Sequence, residues 1–152
     1  MEQDERVAQI MVVDDDPDTV WILARYLRRE GFAAFEACSG AECLRLAKDY
    51  PVDLILLDLM MPDMDGFAVC RALKENPSTA ELPIILLTAR DDVDARAEGI
   101  QLGVSDFLAK PVFGRQLADR IHAQLEMLTG GRVNLATLRQ LGRPKRNGSN
   151  KT

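Results

Sequence analysis

LILLDLMMPDMDG, residues 54–66, sets the problem. Four apolar residues run without a break into a carboxylate, Asp58, and Asp63, Asp65 and Gly66 follow. An apolar run bounded by turn formers is the pattern of a strand buried on both faces. Such strands belong to parallel sheets covered by helices on each side. The strand is read over 52–57, with Asp58 at the point where it surfaces. Asp63 is read as a turn residue, and Asp65 as the cap of a helix containing Phe67, Val69, Cys70 and Leu73.

The same grammar runs along the chain. QIMVV (9–13) is a β-branched strand ended by DDDP. Asp16 can cap the next helix and Pro17 fits its first turn. Val20, Leu23, Ala24 and Leu27 then recur at helical spacing up to Gly31. A short strand is predicted at 32–37 and a helix at 39–50. A loop is predicted at 75–82 and a second doubly buried strand at 83–87. A helix at 91–103 ends at Gly103, a strand follows at 105–109, and KPVFG turns the chain. Leu117, Ile121, Leu125 and Leu128 trace one face of a last long helix. Five strands alternating with five helices predict an α/β fold, a doubly wound five-stranded parallel sheet with helices on both faces. The organisation predicted is an N-terminal extension over 1–7, one domain over 8–128 and a basic tail over 129–152. A short helix is compatible with 135–141, and the rest of the tail lacks any apolar period.

Composition limits the chemistry. All 24 Asp and Glu fall at or before Glu126, whereas six of the 19 Lys and Arg fall after it. The body therefore carries a net charge of −11 and the tail +6. An acidic body suits divalent cations rather than nucleic acid. Cys38, Cys43 and Cys70 form no CxxC pair, so a disulfide framework and a zinc site are both disfavoured. All three are expected to be reduced and mostly buried. The single histidine, His122, is expected to be structural or exposed. No segment has the apolar length of a membrane span, and the polar start MEQDERVAQ does not resemble a signal peptide, so a cytoplasmic protein is expected.

Ligands of open parallel sheets bind at the carboxyl ends of the strands. The first strand ends in Asp14, Asp15 and Asp16, the third in Asp58, the fourth in Thr88, and the fifth near Lys110. If these four strands lie side by side, one acidic crevice results. Clustered carboxylates repel and stay ionised together when a cation joins them. Oxygen ligands without His or Cys favour magnesium or calcium over zinc. Thr88 offers a hydroxyl and Lys110 a point charge, both suited to a phosphoryl group. Asp58 then has the position of a carboxylate nucleophile that forms an acyl phosphate. Taken singly, Asp58 could be a turn residue, Thr88 a helix cap and Lys110 a surface lysine; their coincidence at four strand ends is what points to a site.

The motifs VVDDDP, DLILLDLMMPDMDG, ILLTAR and DFLAKP, with spacings of 44, 30 and 22 residues between Asp14, Asp58, Thr88 and Lys110, resemble the receiver domain of two-component response regulators over about residues 8–128. The resemblance implies a flavodoxin-like strand order 2-1-3-4-5. It implies that Asp58 accepts a phosphoryl group from a sensor histidine kinase or histidine phosphotransfer protein, with Mg2+ as cofactor. Asp14, Asp15, Asp58 and the backbone carbonyl of Met60 would hold the metal. Thr88, the Ala89 amide and Lys110 would contact the phosphoryl oxygens. Thr88 and Phe107 would form the switch, and the Lys110–Pro111 bond would be cis, aiming the lysine. The face of the fourth helix, fifth strand and fifth helix would then carry the change to a downstream protein. Such a chain catalyses only its own phosphorylation and dephosphorylation. Homodimerisation on phosphorylation is left open.

Three rival readings were weighed. A phosphohydrolase of the haloacid dehalogenase type needs a second acid two residues after the nucleophile, where this chain has Met60. A DNA-binding tail is disfavoured because some two dozen residues cannot house a winged helix, and no separate output domain is expected in this chain. A pure interaction module that never takes phosphate would leave Asp58, Thr88 and Lys110 without a purpose.

Overall fold

The computed structural model describes residues 7–61, 65–88, 92–112 and 114–129. Five strands, β1 (Gln9–Val13), β2 (Ala33–Ala37), β3 (Leu54–Asp58), β4 (Ile84–Thr88) and β5 (Asp106–Ala109), form one parallel sheet in the order β2-β1-β3-β4-β5. Five helices alternate with them: α1 (Pro17–Arg29), α2 (Gly40–Asp49), α3 (Gly66–Glu75), α4 (Val93–Leu102) and α5 (Gly114–Thr129). The architecture is the flavodoxin-like α/β fold expected. The expected helix at 135–141 lies outside the described residues, as do Asp63 and Ala89.

Side-chain alternation divides the apolar residues between two cores. Met11, Val13, Ile55, Leu57, Ile84 and Leu86 face one side, packed with Cys43, Val69, Cys70, Leu73 and Ala95 of α2, α3 and α4. Ile10, Val12, Leu54, Leu56, Ile85 and Leu87 face the other, packed with Val20 and Leu27 of α1 and Leu117, Ile121 and Leu125 of α5. Every residue of β3 and β4 is buried, which is why these two strands read as unbroken apolar runs.

The helix starts follow local chemistry. Asp16, Ser39, Asp65 and Asp92 each cap a helix, accepting from an amide in its first turn. Gly103 ends α4 with a left-handed φ of 86°. Asp58 is the last residue of β3, in register with Leu87, rather than the first residue beyond the strand. That pairing holds its backbone in the sheet. Among the described residues no helix is long and apolar enough to cross a membrane.

One expectation is corrected. Cys43 and Cys70 are buried, but Cys38 is exposed. It lies in the turn between β2 and α2, where its amide donates to Glu42 Oε1 at 2.9 Å while Ser39 Oγ accepts from the Glu42 amide. The reciprocal cap fixes the backbone there and leaves the side chain outside the core. His122 is half-buried against Phe32, with ring centroids 5.4 Å apart.

Burial pushes the Cys43 and Cys70 thiols up to about 12, so neither supplies thiolate at neutral pH. Ellman's reagent should therefore modify one thiol, Cys38, in the folded protein and all three in denaturant. Prompt reaction of Cys43 or Cys70 in the folded protein would contradict this packing.

Candidate functional site

The strand order sets β1 beside β3, β3 beside β4 and β4 beside β5, so their carboxyl ends share one edge of the sheet. Asp14 directly follows β1, Asp58 ends β3, Thr88 ends β4 and Lys110 follows β5. Asp14, Asp58 and Thr88 are buried, being 3%, 3% and 2% exposed. One carboxylate oxygen from each of Asp14, Asp15 and Asp58 falls within 4.8 Å of the others, with Asp15 on the exposed side.

Lys110 is the cation of this cluster. Its Nζ lies 2.7 Å from Asp58 Oδ1 and 3.7 Å from Asp14 Oδ2. Its amide donates to the Thr88 carbonyl at 2.8 Å, which ties the residue after β5 to the end of β4. The Lys110–Pro111 peptide is cis. Burial lowers the Lys110 pKa, but the hydrogen bond and charge of Asp58, with the charge of Asp14, outweigh it and leave the ammonium above its ordinary value.

Asp14 is in the opposite position. Burial raises its carboxyl above the ordinary value, opposed by the Asp16 amide, which donates to Oδ1 at 3.0 Å, and reinforced by the charge of Asp58. Asp14 Oδ2 is buried and has no hydrogen-bond partner. At the observed spacing two buried like charges repel by roughly 3 kcal/mol at an effective dielectric of about 20. Three carboxylates against one ammonium leave the cluster short of positive charge. An orphaned oxygen in an all-oxygen donor set fits a hard divalent cation such as magnesium. The acidic cluster can hold such an ion.

The other expected residues occupy distinct places. The Met60 side chain is 73% exposed, two residues beyond β3. Ala89 lies outside the described residues. Phe107, the second residue of β5, does not enter the acidic cluster; its ring packs beneath α4. Asp16 is engaged as the cap of α1, accepting from the Asp18 amide and the Thr19 hydroxyl. Sequence reasoning missed a cleft of about 470 Å3 beside Lys110, walled by Ile22 and Leu23 of α1, Leu87, Pro111 and Val112. Ile22, which lines it, is 58% exposed, and the preceding residue of α1, Trp21, is 54% exposed. Two adjacent large apolar residues on one helix, both outside the buried periodicity, were the available signal.

Comparison with known proteins agrees with this geometry. The family model described as the response regulator receiver domain matches residues 10–122. The response regulator PleD of Caulobacter vibrioides is 42% identical over 134 residues, covering 88% of this chain and 28% of PleD. The transcriptional regulatory protein ResD of Bacillus subtilis is 41% identical over 117 residues, covering 77% of this chain and 48% of ResD. The chain thus spans about a quarter to about half the length of these curated relatives. Among solved structures, the signal receiver domain of a histidine kinase from Syntrophus aciditrophicus superposes with a TM-score of 0.73 at 32% identity, covering 84% of this chain and 95% of that one. The receiver domain of a Francisella response regulator gives 0.72 at 28% identity, over 79% and 98%.

The crowding of Asp14 has a measurable sign. Its folded pKa is raised above 3.8, so the folded protein keeps a proton that the unfolded chain releases. Stability from this group is full below that value and is lost as pH rises through the shifted one. In EDTA, Asp14→Asn should therefore be more stable to urea than the parent by about 1 kcal/mol at neutral pH, with an advantage that grows from acid to neutral pH. Magnesium should shrink that advantage by stabilising the parent alone. A variant less stable than the parent at neutral pH in EDTA would contradict the account.

Proposed function

The chain belongs to the response regulator receiver domain family, and from that premise we propose that it is a phospho-accepting signalling receiver whose acceptor is Asp58. Membership makes it a signalling module of two-component systems, whose receivers pair with histidine kinases. The observation that carries the finer reading is the cluster itself: three carboxylates within 4.8 Å, an unpartnered buried Asp14 oxygen, and Lys110 Nζ 2.7 Å from Asp58.

The mechanism follows from what each group can do. An Asp58 oxygen attacks phosphorus as the bond from phosphorus to the donor's histidine nitrogen breaks, giving an acyl phosphate and a free imidazole. A carboxylate nucleophile, unlike a hydroxyl, has no proton to be removed before it attacks, so this step calls for no general base. Lys110 holds it in place and, through its remaining donors, meets the phosphoryl oxygens. Thr88 offers its hydroxyl and Ala89 its amide to the same oxygens. Asp14, Asp15, Asp58 and the Met60 carbonyl would hold Mg2+, which when bound supplies positive charge to offset that of the transferring group. The exposed Trp21 and Ile22 of α1, with the cleft that Ile22 lines, offer an apolar surface on which the donor protein's helix can rest.

The product changes the local balance. A phosphoryl group on Asp58 adds charge and three acceptors next to Thr88, and a two-position element nearby can respond. Thr88 and Phe107 are that element in this reading. Leu86 and Thr88 project to the same face of β4, and Leu86 pairs with Phe107. Thr88 is therefore the next residue on that face, between the ring and the acidic cluster. Movement of Thr88 toward the phosphate frees space for the ring, and the α4–β5–α5 face carries the change to a downstream protein.

Incubation with acetyl phosphate should add one phosphoryl mass to the intact protein in magnesium and none in EDTA. Asp58→Asn should take up none in either. Lys110→Met should keep a folded spectrum yet lose at least about tenfold in rate, as expected for removal of one charge-stabilising donor. A magnesium-dependent adduct that survives in Asp58→Asn would overturn the assignment of the acceptor.

A further inference from the structure

Phe107 and α4 meet at a contact that only glycine permits. A Cβ on Gly99 would lie 2.7 Å from both Cε1 and Cζ of the Phe107 ring and 3.2 Å from Leu86 Cδ1. Carbon atoms in contact prefer about 3.5–4.0 Å, so an alanine there cannot coexist with the ring where it stands. Backbone conformation does not require glycine at this position, since the positive-φ glycines are Gly31 and Gly103 among the described residues. Glycine inside a helix weakens it. What the missing Cβ provides is therefore the close approach of the ring.

Two further observations make this contact a seat. The Arg96 guanidinium, one turn before Gly99, lies 5.4 Å from the ring centroid, within cation–π reach. And α4 has few other apolar anchors. It buries Ala95 and Gly99 and packs the partly buried Leu102 against the core, while Val93 and Ile100 are 72% and 67% exposed. Its ion pair to α3, Arg71 to Glu98 at 3.5 Å, is exposed and weak. The ring is thus a principal packing partner of the helix.

We propose that Gly99 is a positioning residue of the switch. By lacking a Cβ it forms the buried seat of the Phe107 ring, with Leu86 as its floor and Arg96 as its rim, so that seating the ring and placing α4 are one equilibrium. The inference rests on the switch reading above. The seat lies against the core that contains Leu86 and Ala95, so it is the inward position of the ring. Removing it disfavours the arrangement that accompanies phosphorylation, and any ligand preferring that arrangement binds more weakly in proportion.

The test uses beryllofluoride with magnesium, a phosphoryl mimic, on the parent protein, Gly99→Ala, Phe107→Leu and the double variant. The ring is followed by NMR with labelled phenylalanine, its resonance identified by its loss in Phe107→Leu. Gly99→Ala should move the Phe107 resonance and weaken beryllofluoride binding about fivefold or more. In the Phe107→Leu background, where a smaller side chain leaves room for the new methyl, the same change should alter binding by less than about twofold. Equal weakening in both backgrounds would mean a general effect on the helix and would overturn the proposal, as would tighter binding. If the parent itself binds no beryllofluoride, the phospho-acceptor reading fails. The seat is then judged by the resonance alone, and an unmoved ring in Gly99→Ala overturns it.

Discussion

Two carboxylates buried side by side at the end of a parallel sheet are the constraint on which the rest of this structure depends. Asp14 and Asp58 are each about as buried as Val13 and Leu57, which precede them, yet among the described residues they share a single nearby ammonium. Removing such groups from water is costly unless charge and hydrogen bonds replace the lost hydration. The fold supplies part of the replacement. The Asp16 amide turns toward Asp14, and β5 delivers Lys110 to Asp58. It leaves one Asp14 oxygen without a hydrogen bond, 3.7 Å from the Lys110 ammonium. A site incompletely neutralised by its own chain has capacity for a cation and, with that cation, for a phosphoryl group. Local instability and function are the same feature seen from two sides.

The scaffold makes this tolerable. β3 and β4 are wholly buried, each contributing alternate residues to both cores. The rigid part of the molecule thus ends where the charged part begins. The helices differ in how firmly they are attached. α1 and α5 lay large apolar residues on one core, whereas α4 buries Ala95 and Gly99, adds the partly buried Leu102 and meets the Phe107 ring. Thr88 follows Leu86 on one face of β4, and Leu86 pairs with Phe107, whose ring meets α4.

The fold was legible because its signals are local and repeated. The runs VDLILL (52–57) and PIILL (83–87) read as doubly buried strands, and Asp16, Asp65 and Gly103 marked helix ends through capping chemistry that needs few neighbours. The meeting of Asp14, Asp15 and Asp58 was legible once strand ends were placed on one edge. Three features were not. Asp58 was read just past a strand over 52–57, while pairing with β4 keeps it inside. Cys38 was expected to be buried on residue type alone, and the cap that turns it outward depends on Glu42. The closeness of Gly99 to Phe107 joins residues on separate elements, so no periodicity reports it.

The claim on which the account turns is that the covalent event occurs at Asp58. The most direct measurement is chemical trapping: treat the phosphorylated protein with borohydride, which reduces an acyl phosphate to the alcohol, and sequence the peptides. The account predicts homoserine at position 58 and unmodified aspartate at positions 14, 15 and 65. Homoserine at any of those positions, with aspartate intact at 58, would contradict it.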